Sequence, residues 1–256
     1  MYQTHVSTFK RMVYAFYYSD DISIQTINEI HFKILERYIN IFDEIVFCII
    51  IDNINNKEVI REIEKRVISI RNGDVIFKIY ENSNYRECDV FYNEIVLKMK
   101  DLHGMTFFGH SKGSGVLDKI EETVAIVTAL YYFSLENVEN IEKYPFYGSL
   151  KMINNSPSWY IGPKYMWFYV GTFFWGDYQR IYYEKNNMPL YSSRWFDEMF
   201  PGNLYSHEEC GSFCEEYIDA TIKPLTPFDL IERIHGANPI MEKYILFYND
   251  LMELIL

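Results

Sequence analysis

The most distinctive string in the chain is Phe107-Phe108-Gly109-His110-Ser111-Lys112-Gly113, and two kinds of chemistry fit it. Read as G-x-S-x-G, residues 109–113 match a nucleophile elbow, the sharp strand-to-helix turn that presents a serine hydroxyl for attack. A serine hydrolase using Ser111 would then need an acid and a histidine downstream, in that order. Asp177, Asp197, Asp219 or Asp229 would supply the first, and His207 or His235 the second. Against this, no HGGG-like oxyanion loop precedes the site, and residues 114–119 (SGVLDK) begin poorly as the helix behind an elbow. Read instead as a cationic pair, His110 and Lys112 stand two residues apart and point to one side of an extended segment. Glycines on both sides let a ligand come close to the backbone, and the pair supplies charge for a diphosphate.

The elements that must carry this string alternate regularly. Residues 11–18 (RMVYAFYY), 44–51 (EIVFCIII), 74–80 (DVIFKIY) and 104–108 (GMTFF) read as strands, the first two apolar enough to be buried on both faces. Between them, residues 23–41, 56–71 and 87–101 carry the apolar spacing of amphipathic helices. Such alternation predicts an α/β fold with an open, mostly parallel, Rossmann-type sheet flanked by helices. Ligands in that architecture bind beyond the carboxyl ends of the strands, which here are Tyr17–Asp20, Asp52-Asn53, 81–86 and 109–112. Further on, a long helix is expected to about residue 143, a strand at 146–153, a helix starting near Asp177 and a short one at 194–199. From 207 onward the chain reads as helices. The last, about 240–256, is expected to pack back on the domain, with peripheral membrane contact as the alternative, for which only one Lys is at hand.

Composition narrows the classes. With 49% hydrophobic and 23% charged residues in 256, the chain can bury a sizeable core. A net charge of −12 repels phosphate backbones and excludes nucleic acid as an expected partner. An anionic ligand would therefore need a local basic pocket. Cys48, Cys88, Cys210 and Cys214 form no disulfide framework, so a reducing cytoplasm is the expected compartment. His207-x-x-Cys210-x-x-x-Cys214 matches no common zinc spacing, and no metal site is expected there. No signal peptide is expected, and no apolar run approaches the roughly 20 residues that span a bilayer.

Several ordered pieces resemble the bacterial polysaccharide glycosyltransferases that carry an aromatic-His-(Ser/Thr)-Lys-Gly motif on a GT-A-like fold. The opening RMVYAFYYS through EIVFCIIID is similar to that family's donor-binding start. NSNYRECDVF (82–91) is similar to its Asn-x-x-x-(Arg)-Glu-x-x-x-Phe segment, and FFGHSKG to its signature, with a Gly between the aromatic pair and His110. YVGTFFWGDYQRI resembles its Gly-x-Phe-Trp-Trp segment, and SSRWFDEMFPG its Arg-x-x-x-Glu element near the acceptor. The resemblance covers about residues 11–205. It implies a catalytic domain over 1–205, with a donor half to about 115 and an acceptor half from 116, and a helical extension over 206–256.

The resemblance also implies roles. The enzyme would move a sugar from a nucleotide sugar, a UDP-sugar being the expected donor, to a glycan or lipid-linked glycan. Such transfer builds surface polysaccharide such as capsule or O-antigen at the inner face of the membrane. Tyr17, Ser19, Asp52 and Arg86 would hold the nucleotide with His110 and Lys112. Gly171, Phe174 and Trp175 would line the acceptor side, with Trp175 as a sugar-stacking platform. An inverting enzyme needs a carboxylate base: Glu198 first, oriented by Arg194 through an i,i+4 pair, then Asp197, then Asp177. Most GT-A enzymes hold a divalent metal on Asp-x-Asp, which is absent from this chain. The implication is that His110 and Lys112 meet the leaving diphosphate without metal. The serine hydrolase and a non-catalytic nucleotide-binding module remain the alternatives.

Overall fold

Three apolar runs form the centre of the sheet. The computed structural model describes residues 9–111, 120–136, 138–154, 164–165, 167–185, 188–189, 196–218 and 239–253. In it β1 (Lys10–Tyr18) pairs in parallel with β2 (Glu44–Ile51) on one flank and β4 (Met105–His110) on the other. A further parallel strand, β3 (Ile76–Glu81), extends the sheet beyond β2. The chain thus lays three strands outward and then returns to the far side of β1. Strand order reverses between β1 and β4, the place where open α/β sheets form a crevice at their carboxyl ends.

Beyond β4 the sheet becomes mixed. β5 (Phe146–Asn154) is its second hub. Along one flank of β5 lie β6 (Trp167–Tyr169) and β7 (Phe174–Gly176), both antiparallel to it, with β7 also antiparallel to β4. Along the other flank runs β8 (Gly211–Ile218), in parallel with β5 from Tyr147↔Gly211 to Asn154↔Ile218.

Helices cover both faces. Alternation along β1 divides the core: Met12, Tyr14 and Phe16 face one layer, Val13, Ala15 and Tyr17 the other. The first layer holds α1 (Ile22–Tyr38) and α2 (Lys57–Ile70). The second begins with α3 (Glu87–Glu94). Then α4 (Ile120–Leu135) joins the first layer, and α5 (Tyr178–Glu184) and α6 (Phe196–Leu204) the second. The last helix, α7 (Pro239–Met252), returns to the first layer, where the Tyr244 hydroxyl donates to the Ala125 carbonyl at 3.1 Å. Helix starts follow from side-chain caps. The Asp21 carboxylate accepts from the Ser23 N–H at 2.9 Å, and Asp177 from the Arg180 N–H at 3.1 Å. Among the described residues no helix is long and apolar enough to cross a membrane.

Three expectations change. The helix expected over 87–101 ends at Glu94: Ile95 (φ −116°, ψ −66°) breaks it, and a tighter 3-10 turn follows over Val96–Asp101. The helix expected to about 143 ends at Leu135, and Val138–Lys143 is another 3-10 turn. Most consequential is β8. The sequence reads as helical from 207, but Gly211–Ile218 is a strand of the main sheet, so the segment 206–256 is not a purely helical extension. β5 has an open flank beside Tyr147–Asn154, and pairing there satisfies backbone groups that a helix at 211–218 would leave unpaired.

Candidate active site at the carboxyl ends of β1 and β4

The site is assembled from the ends of the central strands inward. His110 is the last residue of β4, in register with Ala15 of β1. Its imidazole is buried. Nε2 lies 2.7 Å from the Gly171 carbonyl, which can only accept, so Nε2 carries the hydrogen. The Phe173 ring packs on the same imidazole with centroids 5.4 Å apart. Lys112, Gly113 and Arg194 lie outside the described residues.

Ser111 stitches β4 to β1. Its N–H donates to the Ala15 carbonyl at 2.9 Å, and its Oγ accepts from the Tyr17 N–H at 2.7 Å. The hydroxyl is buried and tied to backbone, whereas an elbow nucleophile stands exposed. His207 sits on a 3-10 turn before β8, where its Nε2 faces Glu208 at 2.9 Å and its carbonyl accepts from Lys151 Nζ. Asp219, Asp229 and His235 lie outside the described residues.

Tyr17 forms the floor on the β1 side. The Asn28 amide donates to its carbonyl at 3.0 Å, and the guanidinium of Arg86 lies over its ring at 4.7 Å. Arg86 precedes α3 with φ 42°, a left-handed backbone that is rare for a long side chain. Ser83 helps hold this loop: its Oγ accepts from the N–H groups of Tyr85 (3.0 Å) and Arg86 (3.2 Å) and donates to the Asp89 carboxylate. The exposed guanidinium has no ion-pair partner among the described residues and presents its charge to solvent above Tyr17. Ser19 accepts from the Asp21 N–H at 3.4 Å. Asp52 is exposed and accepts from the Asn82 amide at 2.6 Å, joining the ends of β2 and β3.

A carboxyl cluster closes the other side. Cys88 Sγ donates to Asp197 Oδ1 at 3.0 Å, tying the start of α3 to the start of α6, and the Glu198 N–H donates to the same oxygen at 3.0 Å. Asp197 Oδ2 is buried with no hydrogen-bond partner among the described residues. Burial, with Glu87 and Glu198 nearby, pushes the Asp197 carboxyl up to about 7. Glu198, half-buried on the next position, is the acid of the pair with access to solvent. The segment Glu87-Cys88-Asp89 supplies the buried thiol of this link.

Placement sorts the expected residues. Tyr17, Ser19, Arg86, His110, Gly171, Asp197 and Glu198 lie at or near the carboxyl edge, with Asp52 at the neighbouring strand end. Phe174 and Trp175 do not line a sugar site. Both are fully buried. The Trp175 ring stacks on Phe42 with centroids 5.4 Å apart and its Nε1 donates to the Ser134 carbonyl at 2.8 Å, so its polar handle is spent in the core. Asp177 lies at the wrong end. Because β7 runs antiparallel to β4, its last residue Gly176 pairs with Thr106 near the amino end of β4, and Asp177 caps α5 there. Burial raises its carboxyl, but it faces away from His110's strand end. Thr172, Phe173 and Ser83 carry no role in the sequence reading, and Asn82 and Cys88 enter it only through the NSNYRECDVF segment and the count of cysteines. Among the described residues no three His, Cys, Asp or Glu side chains group to hold a metal. No family model matches the chain, and no curated protein matches it.

Proposed function

We propose that the protein is a glycosyltransferase of GT-A-like fold that transfers a sugar from a nucleotide sugar to a glycan acceptor. The observations that support this reading are the solvent-facing Arg86 on Tyr17 and the His110 imidazole, at the carboxyl ends of the parallel strands β1 and β4, with the Asp197–Glu198 acids tied to the start of α3 through Cys88. A cation such as Arg86 suits a diphosphate, and a carboxylate suits an acceptor hydroxyl.

In this mechanism Arg86, His110 and Lys112 meet the charge that grows on the departing diphosphate. Stabilisation there is worth most in the transition state, where the bond between the anomeric carbon and the phosphate oxygen breaks. Glu198 takes the proton from the acceptor hydroxyl as its oxygen bonds to the anomeric carbon. Asp197, tied to Cys88 and to its own helix, fixes where Glu198 stands. Because the chain contains no Asp-x-Asp, side-chain cations carry the neutralising role. Ser111 serves the strand junction.

A thermal-shift screen of nucleoside diphosphates and their sugars tests the reading. A true ligand at 100 times its dissociation constant stabilises the fold by about 2.7 kcal/mol, and UDP-sugars are expected to give the largest shift. No shift from any sugar nucleotide, with none consumed in the presence of glycan acceptors, would overturn it.

A further inference from the structure

We infer that the consecutive left-handed residues Gly171 and Thr172 are a positioning device that fixes the His110 imidazole in one orientation and as one tautomer, with its proton on Nε2. The role of that imidazole toward a diphosphate rests on the transferase reading; its positioning does not.

β6 and β7 lie end to end along one flank of β5, so the chain must bend between Tyr169 and Phe174. It does so with Gly171 at φ 72°, ψ 13° and Thr172 at φ 60°. Glycine enters this region freely, but a β-branched residue does so only under strain. Thr172 and Arg86 are the two non-glycine residues with positive φ among the described residues. Strained backbone that persists is held by its surroundings and marks a place where geometry matters.

The bend delivers two groups to one ring. Gly171 turns its carbonyl onto His110 Nε2 at 2.7 Å, and Phe173, two residues later, lays its ring against the imidazole at 5.4 Å. Phe173 is itself anchored. Its carbonyl accepts from Ser134 Oγ at 3.2 Å, and its ring meets the edge of Tyr131 with centroids 4.7 Å apart. Tyr131 belongs to a buried hydrogen-bonded cluster with Tyr14 and His31 that joins α4, β1 and α1. The imidazole is therefore gripped by a bend that the core holds in place.

The test reads the His110 tautomer in ligand-free protein by long-range proton–nitrogen NMR, above the pH at which the ring is charged. The wild type should show a single tautomer with the proton on Nε2. Gly171→Ala places a Cβ on a backbone at φ 72° and should give a mixture of tautomers, with nucleoside diphosphate binding weakened about tenfold, the worth of one well-made hydrogen bond to a charged group. Thr172→Asn tolerates the left-handed backbone and should keep the wild-type tautomer. A wild-type proton on Nδ1 would overturn the inference, and that result stands even if Gly171→Ala does not fold. Unchanged His110 signals in a folded Gly171→Ala, or a lost tautomer in Thr172→Asn, would overturn it too. Failure of every nucleoside diphosphate to bind the wild type would defeat the transferase reading and leave the tautomer to decide this one.

Discussion

At the scale of single residues, the two adjacent acids of α6 have separable roles. Glu198→Gln keeps shape and removes the base, so kcat for sugar transfer should fall on the order of 10²- to 10⁴-fold. Asp197→Asn keeps an oxygen to accept from Cys88 and from the Glu198 N–H, so its loss of activity should be smaller. The reverse ranking in steady-state assays would make Asp197 the base. Asp197 also sets a pH dependence of stability. Folded, its carboxyl keeps its proton up to about pH 7; unfolded, it releases it near the ordinary value of 3.8. Between those limits the folded state binds more protons, so stability declines as pH rises. This contribution is complete below about pH 4 and gone above about pH 7. Denaturant titrations should therefore show the wild type losing stability relative to Asp197→Asn across that window. Parallel pH profiles for the two proteins would show that Asp197 is ionised throughout.

Elements explain which of these residues sequence could locate. β1, β2 and β4 are legible because strands buried on both faces must be apolar throughout, and reading their ends leads directly to Tyr17 and His110. Direction is what sequence does not carry. Nothing in YVGTFFWGDYQRI shows that β7 runs antiparallel to β4, and that one fact moves Asp177 to the far edge of the sheet; Trp175 is held in the core by its packing on Phe42 and Phe107. β8 was hidden for a different reason: Glu215-Glu216 lowers strand propensity in a segment whose pairing partner, β5, lies some sixty residues away. The Cys88–Asp197 contact likewise joins residues 109 positions apart. The β5 hub has its own test. A Cβ on Gly148 would stand 2.5 Å from Tyr169 Cδ1, in the strand pairing that sets up the 170–172 bend. Gly148→Ala should destabilise the fold by about 1–3 kcal/mol in denaturant titrations, the usual cost of overpacking a filled interior. An unchanged midpoint would mean that the Tyr169 ring moves aside freely.

On the scale of the whole molecule, an acidic chain of net charge −12 sets the exposed Arg86 over Tyr17 at the carboxyl end of β1, the strand beside which strand order reverses. An anion that binds this protein must be drawn by local charge, since the overall field opposes it. The most direct measurement is a calorimetric titration of UDP into the wild type, Arg86→Ala, His110→Gln and Asp177→Asn. The account predicts binding by the wild type, weakening of about tenfold or more in the first two variants, as expected when a charged contact is lost, and an unchanged affinity in the third. It is contradicted if UDP does not bind, or if Asp177→Asn weakens binding while Arg86→Ala and His110→Gln leave it intact.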